Sequence, residues 1–310
     1  MSEQLAATTP TPTVNWRRVL MFIGITFAIN WGAVAALHLA GRQFSGAAGT
    51  IFAAGYMIVP ALVVFALARR WGVPLRNWGL RLPRNWYLGL APLLPIVLAL
   101  LTIAAAVLMG FGEFDPTGMA MIERWEGMGR QELADAMRQQ ADEMPINLVL
   151  VTLLAAPVAG FTINGLLAFG EELGWRGLLQ QELAPLGFAR ASALIGAVWG
   201  MWHAPLILLG HNFPGHPRLG VLVMIVACVP LGIVMSWIAL KARTVLAAAV
   251  AHGTYNAASG VTLMGMRGGE TIEVFILGYA GILATAVVAA VLLAFRPDRA
   301  GYERAYNEPR

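Results

Sequence analysis

Long apolar runs dominate the chain, and each is about as long as a membrane-spanning helix. Such a helix needs about 20 predominantly apolar residues. Eight stretches meet that description, at about 19–40, 47–68, 87–110, 146–168, 191–210, 219–240, 244–264 and 273–295. Pro60, Pro92, Pro95 and Pro157 fall inside the second, third and fourth. A membrane bundle tolerates such prolines because neighbouring groups satisfy the freed carbonyls. The pattern therefore predicts an all-α, polytopic membrane helix bundle of about eight transmembrane helices. The largest hydrophilic segment, 112–145, holds Glu113, Asp115, Glu123, Glu126, Glu132, Asp135, Asp142 and Glu143 against three arginines. Within it, ELADAMRQQADEM has the pattern of a short amphipathic helix. The segment reads as a solvated loop, with a substrate gate or lid as the sharper alternative.

Composition narrows the class. Of 310 residues, 58% are hydrophobic and 12% are charged, and the mean hydropathy is +0.67. The charged share is about half of the roughly 25% found in soluble domains. A soluble globule and a disordered chain are both excluded. The pI of about 9.6 does not imply nucleic acid, because the net charge is only +4 and no basic and aromatic face forms. The arginines report orientation instead. With the N-terminus cytoplasmic, 15 of the 21 lysines and arginines fall in inside loops, RRWGVPLRNWGLRLPRNW being the densest. Both termini are then cytoplasmic, and the protein is expected to be a multi-pass protein of the plasma or inner membrane. Residues 1–16 read as a disordered cytoplasmic tail, 17–296 as the embedded bundle and 297–310 as a second cytoplasmic tail. The first apolar run lacks a small-residue cleavage site and reads as a retained helix. Cys228, the single cysteine, excludes an intrachain disulfide and reads as a buried, inert thiol.

Ionisable groups inside a membrane point to function by default. Asp115, Asp135, Asp142 and Asp298 all lie in loops, so the search falls on three clusters, with Asn30, His38 and Asn164 as weaker positions. The first cluster is GEELGWRGLLQQEL, Gly170 to Leu183. Glu172 and Arg176 are four apart and share a helix face in the favourable order. Glu171 is turned by about 100° from Glu172, which leaves it unpaired and suited to act as a base. The alternative is a charged turn that anchors the helix at the interface. The second cluster is WGMWHAPL, in which His203 lies about 20 Å along its helix from Arg190. Pro205 should loosen the backbone beside it, and Gly196 and Gly200 form a GxxxG that permits close helix approach. The third is HGTYNA, where His252 and Asn256 are one turn apart on one face, roughly 12 and 18 Å from Thr244. Two donors so placed suit an oxyanion, although paired polar groups also join membrane helices. The arginine topology gives both histidines compatible depths and puts Glu171 nearer the cytoplasmic end, in a water-filled pocket open to the inner leaflet.

Missing residues exclude several mechanisms. The sequence has no HExxH, no membrane Asp pair, no P-loop and no dinucleotide fingerprint, and Ser259 lacks a nucleophile-elbow pattern. EELGWR, WGMWH and HGTYN, in that order, resemble the EExxxR, FxxxH and HxxxN signature of the CPBP family, the CAAX prenyl proteases of type II and bacteriocin-processing or Abi proteins. The motif core is 146–260, and Trp199 stands where the family often has Phe.

The resemblance implies an intramembrane endopeptidase acting on a membrane-associated protein or peptide. Glu171 and His203 would activate water. His252 and Asn256 would stabilise the oxyanion, and Glu172 and Arg176 would support the first motif. No cofactor is needed for this chemistry, although a glutamate and two histidines would also suit Zn²⁺. Two other classes remain at this stage: a non-enzymatic membrane immunity or scaffold protein, and a small proton-coupled transporter with Glu171 as carrier. The substrate and the oligomeric state are not legible.

Overall fold

The computed structural model describes residues 13–41, 46–82, 85–143 and 147–296; most of the first expected tail and all of the second lie outside them. The chain forms helices α1 Trp16–Leu39, α2 Gly46–Trp71, α3 Tyr87–Leu90, α4 Leu93–Leu108, α5 Ala120–Gly127 and α6 Gln131–Glu143, then α7 Leu148–Phe161 and α8 Ile163–Glu172. A π-helical segment, Leu173–Leu179, leads into α9 Gln180–Glu182. There follow α10 Phe188–Trp202, α11 Ala204–Leu208, α12 Pro217–Ala242, α13 Val245–Ala258, α14 Val261–Met264, α15 Thr271–Val274 and α16 Tyr279–Ala294. Among the described residues, the strands are a single antiparallel pair, β1 Glu113–Phe114 and β2 Met266–Arg267. The protein is thus a polytopic helical bundle.

Among the described residues, five segments are individually long and apolar enough to cross a membrane: Trp16–Leu39, Ala48–Trp71, Tyr87–Leu108, Pro217–Ala242 and Thr271–Ala294. The other three expected spans are helical but interrupted. The run at 146–168 breaks at Thr162 (φ −122°, ψ −120°) into α7 and α8. The run at 191–210 breaks at His203, where Pro205 cannot donate to the carbonyl four residues back. The run at 244–264 ends its first helix at Ala258. Apolar composition continues across these breaks, so hydropathy alone does not reveal them.

Small residues bring the interrupted helices against their neighbours. A Cβ on Gly200 would lie 2.6 Å from the Ile225 Cα of α12, and Gly196 meets the same helix at the Cys228 carbonyl. The GxxxG therefore forms the α10–α12 contact. On α13, a Cβ on Gly253 would lie 2.5 Å from the Gly165 backbone nitrogen of α8. Gly160 of α7 meets α13 at Thr254 and Val250. The break at Thr162 thus lets both α7 and α8 lie on the small-residue face of α13. Without a hydrophobic force between helices in lipid, such close packing is what holds a bundle together.

Cross-chain bonds define two ends. At one end Arg18 pairs with Glu182 at 2.9 Å, Val245 N–H donates to the Gly79 carbonyl, and Asn85 donates to the Lys241 carbonyl. At the other end β1 pairs with β2, and Arg124 of α5 donates to the carbonyls of Met266, Gly268 and Gly269. The first end gathers the basic loops and the second gathers the acidic ones.

The hydrophilic segment is not an irregular loop. Its α5 and α6 pack on a small apolar cluster of Met121, Ile122, Ala134, Met137 and Leu148. The amphipathic helix expected there is α6. Asp115, although acidic, is buried at the root of this pair. It accepts from the Ala120 N–H at 2.9 Å, from Thr117, and from Arg267 at 3.3 Å. Burial opposes its charge, but the Thr117 bonds and the Arg267 guanidinium outweigh it and hold the carboxyl below its usual range.

Candidate functional site

The first cluster lies where α8 passes into the π-helical segment. Such wide turns recur at functional sites because they re-aim side chains that an α-helix would space regularly. Glu171, Glu172 and Arg176 are all buried, at 2%, 0% and 0% exposure. This overturns the alternative of an interfacial charged turn. Arg176 Nη1 donates to Glu172 Oε1 at 2.9 Å, so the expected i, i+4 pair forms. Its guanidinium also lies over the Trp199 ring, 4.5 Å from the centroid, a favourable position against the negative ring face. The pair is not fully satisfied, because Glu172 Oε2 and Arg176 Nε and Nη2 have no hydrogen-bond partner.

The second and third clusters close around the first. His252 of α13 places Nδ1 2.8 Å from Glu172 Oε1. A carboxylate oxygen only accepts, so this Nδ1 carries a hydrogen. His203, at the break between α10 and α11, places Nδ1 2.9 Å from the Trp199 carbonyl. That nitrogen therefore also carries a hydrogen, and in the neutral ring the lone pair is on Nε2. Glu171 does not pair with Arg176. Its Oε2 accepts from the Trp199 indole N–H at 2.7 Å. Asn256, one turn beyond His252, is exposed.

Glu171, His203, His252 and Asn256 line one cavity of about 260 Å³. Its walls include Tyr56 and Met57 of α2, Trp202, Met224 and Cys228. Toward the acidic-loop end they are completed by His211, Asn212, Ser259, Phe275 and Leu277. These walls lie on the acidic-loop side of His203 and Asn256. α10 and α13 both run away from the basic end, so residues beyond His203 and Asn256 carry the cavity toward the acidic-loop end.

The remaining sequence candidates have structural roles or none. Asn30 accepts from the Trp202 indole at 3.1 Å and donates to the Tyr56 carbonyl at 3.0 Å, tying α1 to α2 and α10. Asn164 reaches the Gly253 carbonyl, and His38 is exposed at the end of α1. Ser259 Oγ donates to the Asn256 carbonyl. Sequence reasoning missed Tyr56, His211 and Asn212 as cavity residues, and took Trp199 as packing alone. Only the indole N–H, placed one turn before His203, marks Trp199 in the sequence.

For a metal ion the donors converge poorly. Among the described residues no three His, Cys, Asp or Glu side chains come together as a metal-holding group. His203 and His252 each engage Nδ1 with an oxygen, which leaves Nε2 as the free nitrogen of both rings.

Comparison with known proteins agrees with the motifs. Residues 144–258 match the family described as type II CAAX prenyl endopeptidase Rce1-like, close to the motif core expected at 146–260. A curated relative, CAAX prenyl protease 2 of Methanococcus maripaludis, is 32% identical over 97 residues, which make up 29% of this chain and 36% of that protein. The match thus spans about a third of that relative's length. No solved structure matches. The resemblance seen in EELGWR, WGMWH and HGTYN is borne out.

Proposed function

From a polytopic membrane bundle whose residues 144–258 are Rce1-like, we propose that the protein is an intramembrane endopeptidase acting on a membrane-associated protein or peptide. The observation that carries this reading is the meeting of four polar side chains from three separate motifs in one cavity of an apolar bundle. Such groups are costly in a membrane and are kept there by function.

In the proposed reaction Glu171, with the Nε2 lone pair of His203, takes a proton from water, and the resulting hydroxide attacks the peptide carbonyl carbon. The carbonyl π electrons move to oxygen. That oxyanion receives hydrogen bonds from the Asn256 amide and from Nε2–H of His252 in its imidazolium form. Glu172 faces that cation at 2.8 Å, and Arg176 holds Glu172 in turn. The C–N bond then breaks, and the protonated Glu171 or His203 returns its proton to the leaving amine. No acyl-enzyme forms and no step runs through a metal. The cavity walls toward the acidic-loop end support substrate access from that end.

The test compares the peptide termini of membranes holding the native chain with those holding Glu171→Gln or His203→Ala. The expected result is a set of termini lost in both variants at unchanged membrane levels. Unchanged termini in an accumulated Glu171→Gln variant would overturn the proposal. A cellular phenotype retained without cleavage would favour the scaffold class instead.

A further inference from the structure

Trp199 touches each part of the site. Its indole N–H donates to Glu171 Oε2 at 2.7 Å, and its carbonyl meets His203 Nδ1 at 2.9 Å. Its ring face carries the Arg176 guanidinium, and its ring lies edge-on to His252 at 5.2 Å between centroids. The residue is itself buried at 3% exposure. A phenylalanine would fill most of the same volume and keep the backbone carbonyl, but it has no N–H. The tryptophan therefore adds one specific thing, a hydrogen bond to the carboxylate.

We infer that Trp199 is a positioning residue. Its N–H occupies Oε2 of Glu171 and holds that side of the carboxylate in place, with the Trp175 indole also close to the group. A carboxylate free to rotate inside a cavity spends much of its time misaimed, and misplacement of this kind lowers turnover more than binding. The indole donor is preorganised, since its own rotation is blocked by Arg176 on one side and by the tightly packed α10–α12 contact nearby.

The consequence is a specific split between ring and N–H. Trp199→Phe keeps a six-membered aromatic ring at the same place, so it should accumulate in the membrane like the native chain. Its kcat should fall by about tenfold or more with KM unchanged, the size expected for losing one hydrogen bond to a charged group. Trp199→Leu removes the ring as well and should also lower accumulation. An internally quenched farnesylated CAAX peptide serves as the kinetic probe, because the relative's name points to that chemistry. This arm rests on the endopeptidase reading. A second arm does not: the ultraviolet resonance Raman difference between the native chain and Trp199→Phe isolates this one indole and shows whether its N–H is strongly hydrogen-bonded. Cleavage by Trp199→Phe within twofold of native, or a difference band typical of a free indole N–H, overturns the inference. If the native chain shows no Glu171-dependent cleavage of this peptide, prenylated CAAX peptides are excluded as substrates, and the Raman band alone decides whether Trp199 holds Glu171.

Discussion

Replacing Arg176 by Met tests how the buried charges hold the site together. The new side chain is similar in length but carries no charge. Glu172 would keep His252 as its only partner, with Oε2 still unpaired and the whole residue inaccessible to water. Breaking a buried ion pair from one side costs about 3–5 kcal/mol, whereas replacing both members with apolar groups is often near neutral. The remaining His252 bond places the single variant at the lower end, about 3 kcal/mol. For a chain of this size each kcal/mol moves Tm by roughly 2–4 °C, so Tm should fall by roughly 6–12 °C. The double variant Glu172→Leu/Arg176→Met should recover most of that fall. Both variants should be inactive, because His252 loses its carboxylate or that carboxylate loses its anchor. Cys228 provides the assay: it is the only cysteine and is buried, so a thiol-reactive fluorogenic dye reports unfolding in detergent micelles. An Arg176→Met variant melting within 2 °C of native (an order-of-magnitude threshold on the same scale) would refute the reasoning. A double variant less stable than the single one would refute it too.

Other expectations concern metal, pH and access. Cleavage should persist in a chelator, and loss in EDTA restored by zinc would contradict the glutamate mechanism. The Asp115 carboxyl is held below its usual range when folded. It therefore adds stability above its unfolded pKa of about 3.9, which is lost as pH falls through the folded value. Asp115→Asn should lower stability at pH 7 by about 1–2 kcal/mol and flatten the acid end of the melting profile; an unchanged profile would argue against that role. In a Cys228→Ala background, Ser259→Cys should react with a membrane-impermeant maleimide from the side carrying 112–145. Reaction only from the basic-loop side would place cavity access at the wrong end.

The parts legible in the sequence were those written in local contrast. Glu171, His203, His252 and Asn256 stand out because each interrupts an apolar run, and α6 because its apolar residues recur at helical spacing. The Glu172–Arg176 pair was legible because four residues make one turn. The Glu172–His252 bond was not, since 80 residues separate its partners and only packing brings them together. The break at Thr162 was hidden by apolar residues on both sides, whereas Pro205 announced the one at His203. Cavity residues such as Tyr56 and Asn212 carry no local signal at all. The Asp115 network was missed because one acid among eight in a hydrophilic segment looks like solvated surface until its burial is known.

The glycine contacts bear on how such a protein can diverge. In α1 and α2 a Cβ added at Gly24, Gly32 or Gly55 would meet nothing within 4 Å. Much of those helices faces lipid, where one apolar residue serves as well as another. At Gly170, Gly200 and Gly253 backbone lies under 3 Å from such an atom, so the alphabet there shrinks to a single letter. All three positions fall within residues 144–258, the stretch that still matches a family. At those three positions only glycine lets one backbone meet another, whereas Gly24, Gly32 and Gly55 leave room for a larger side chain.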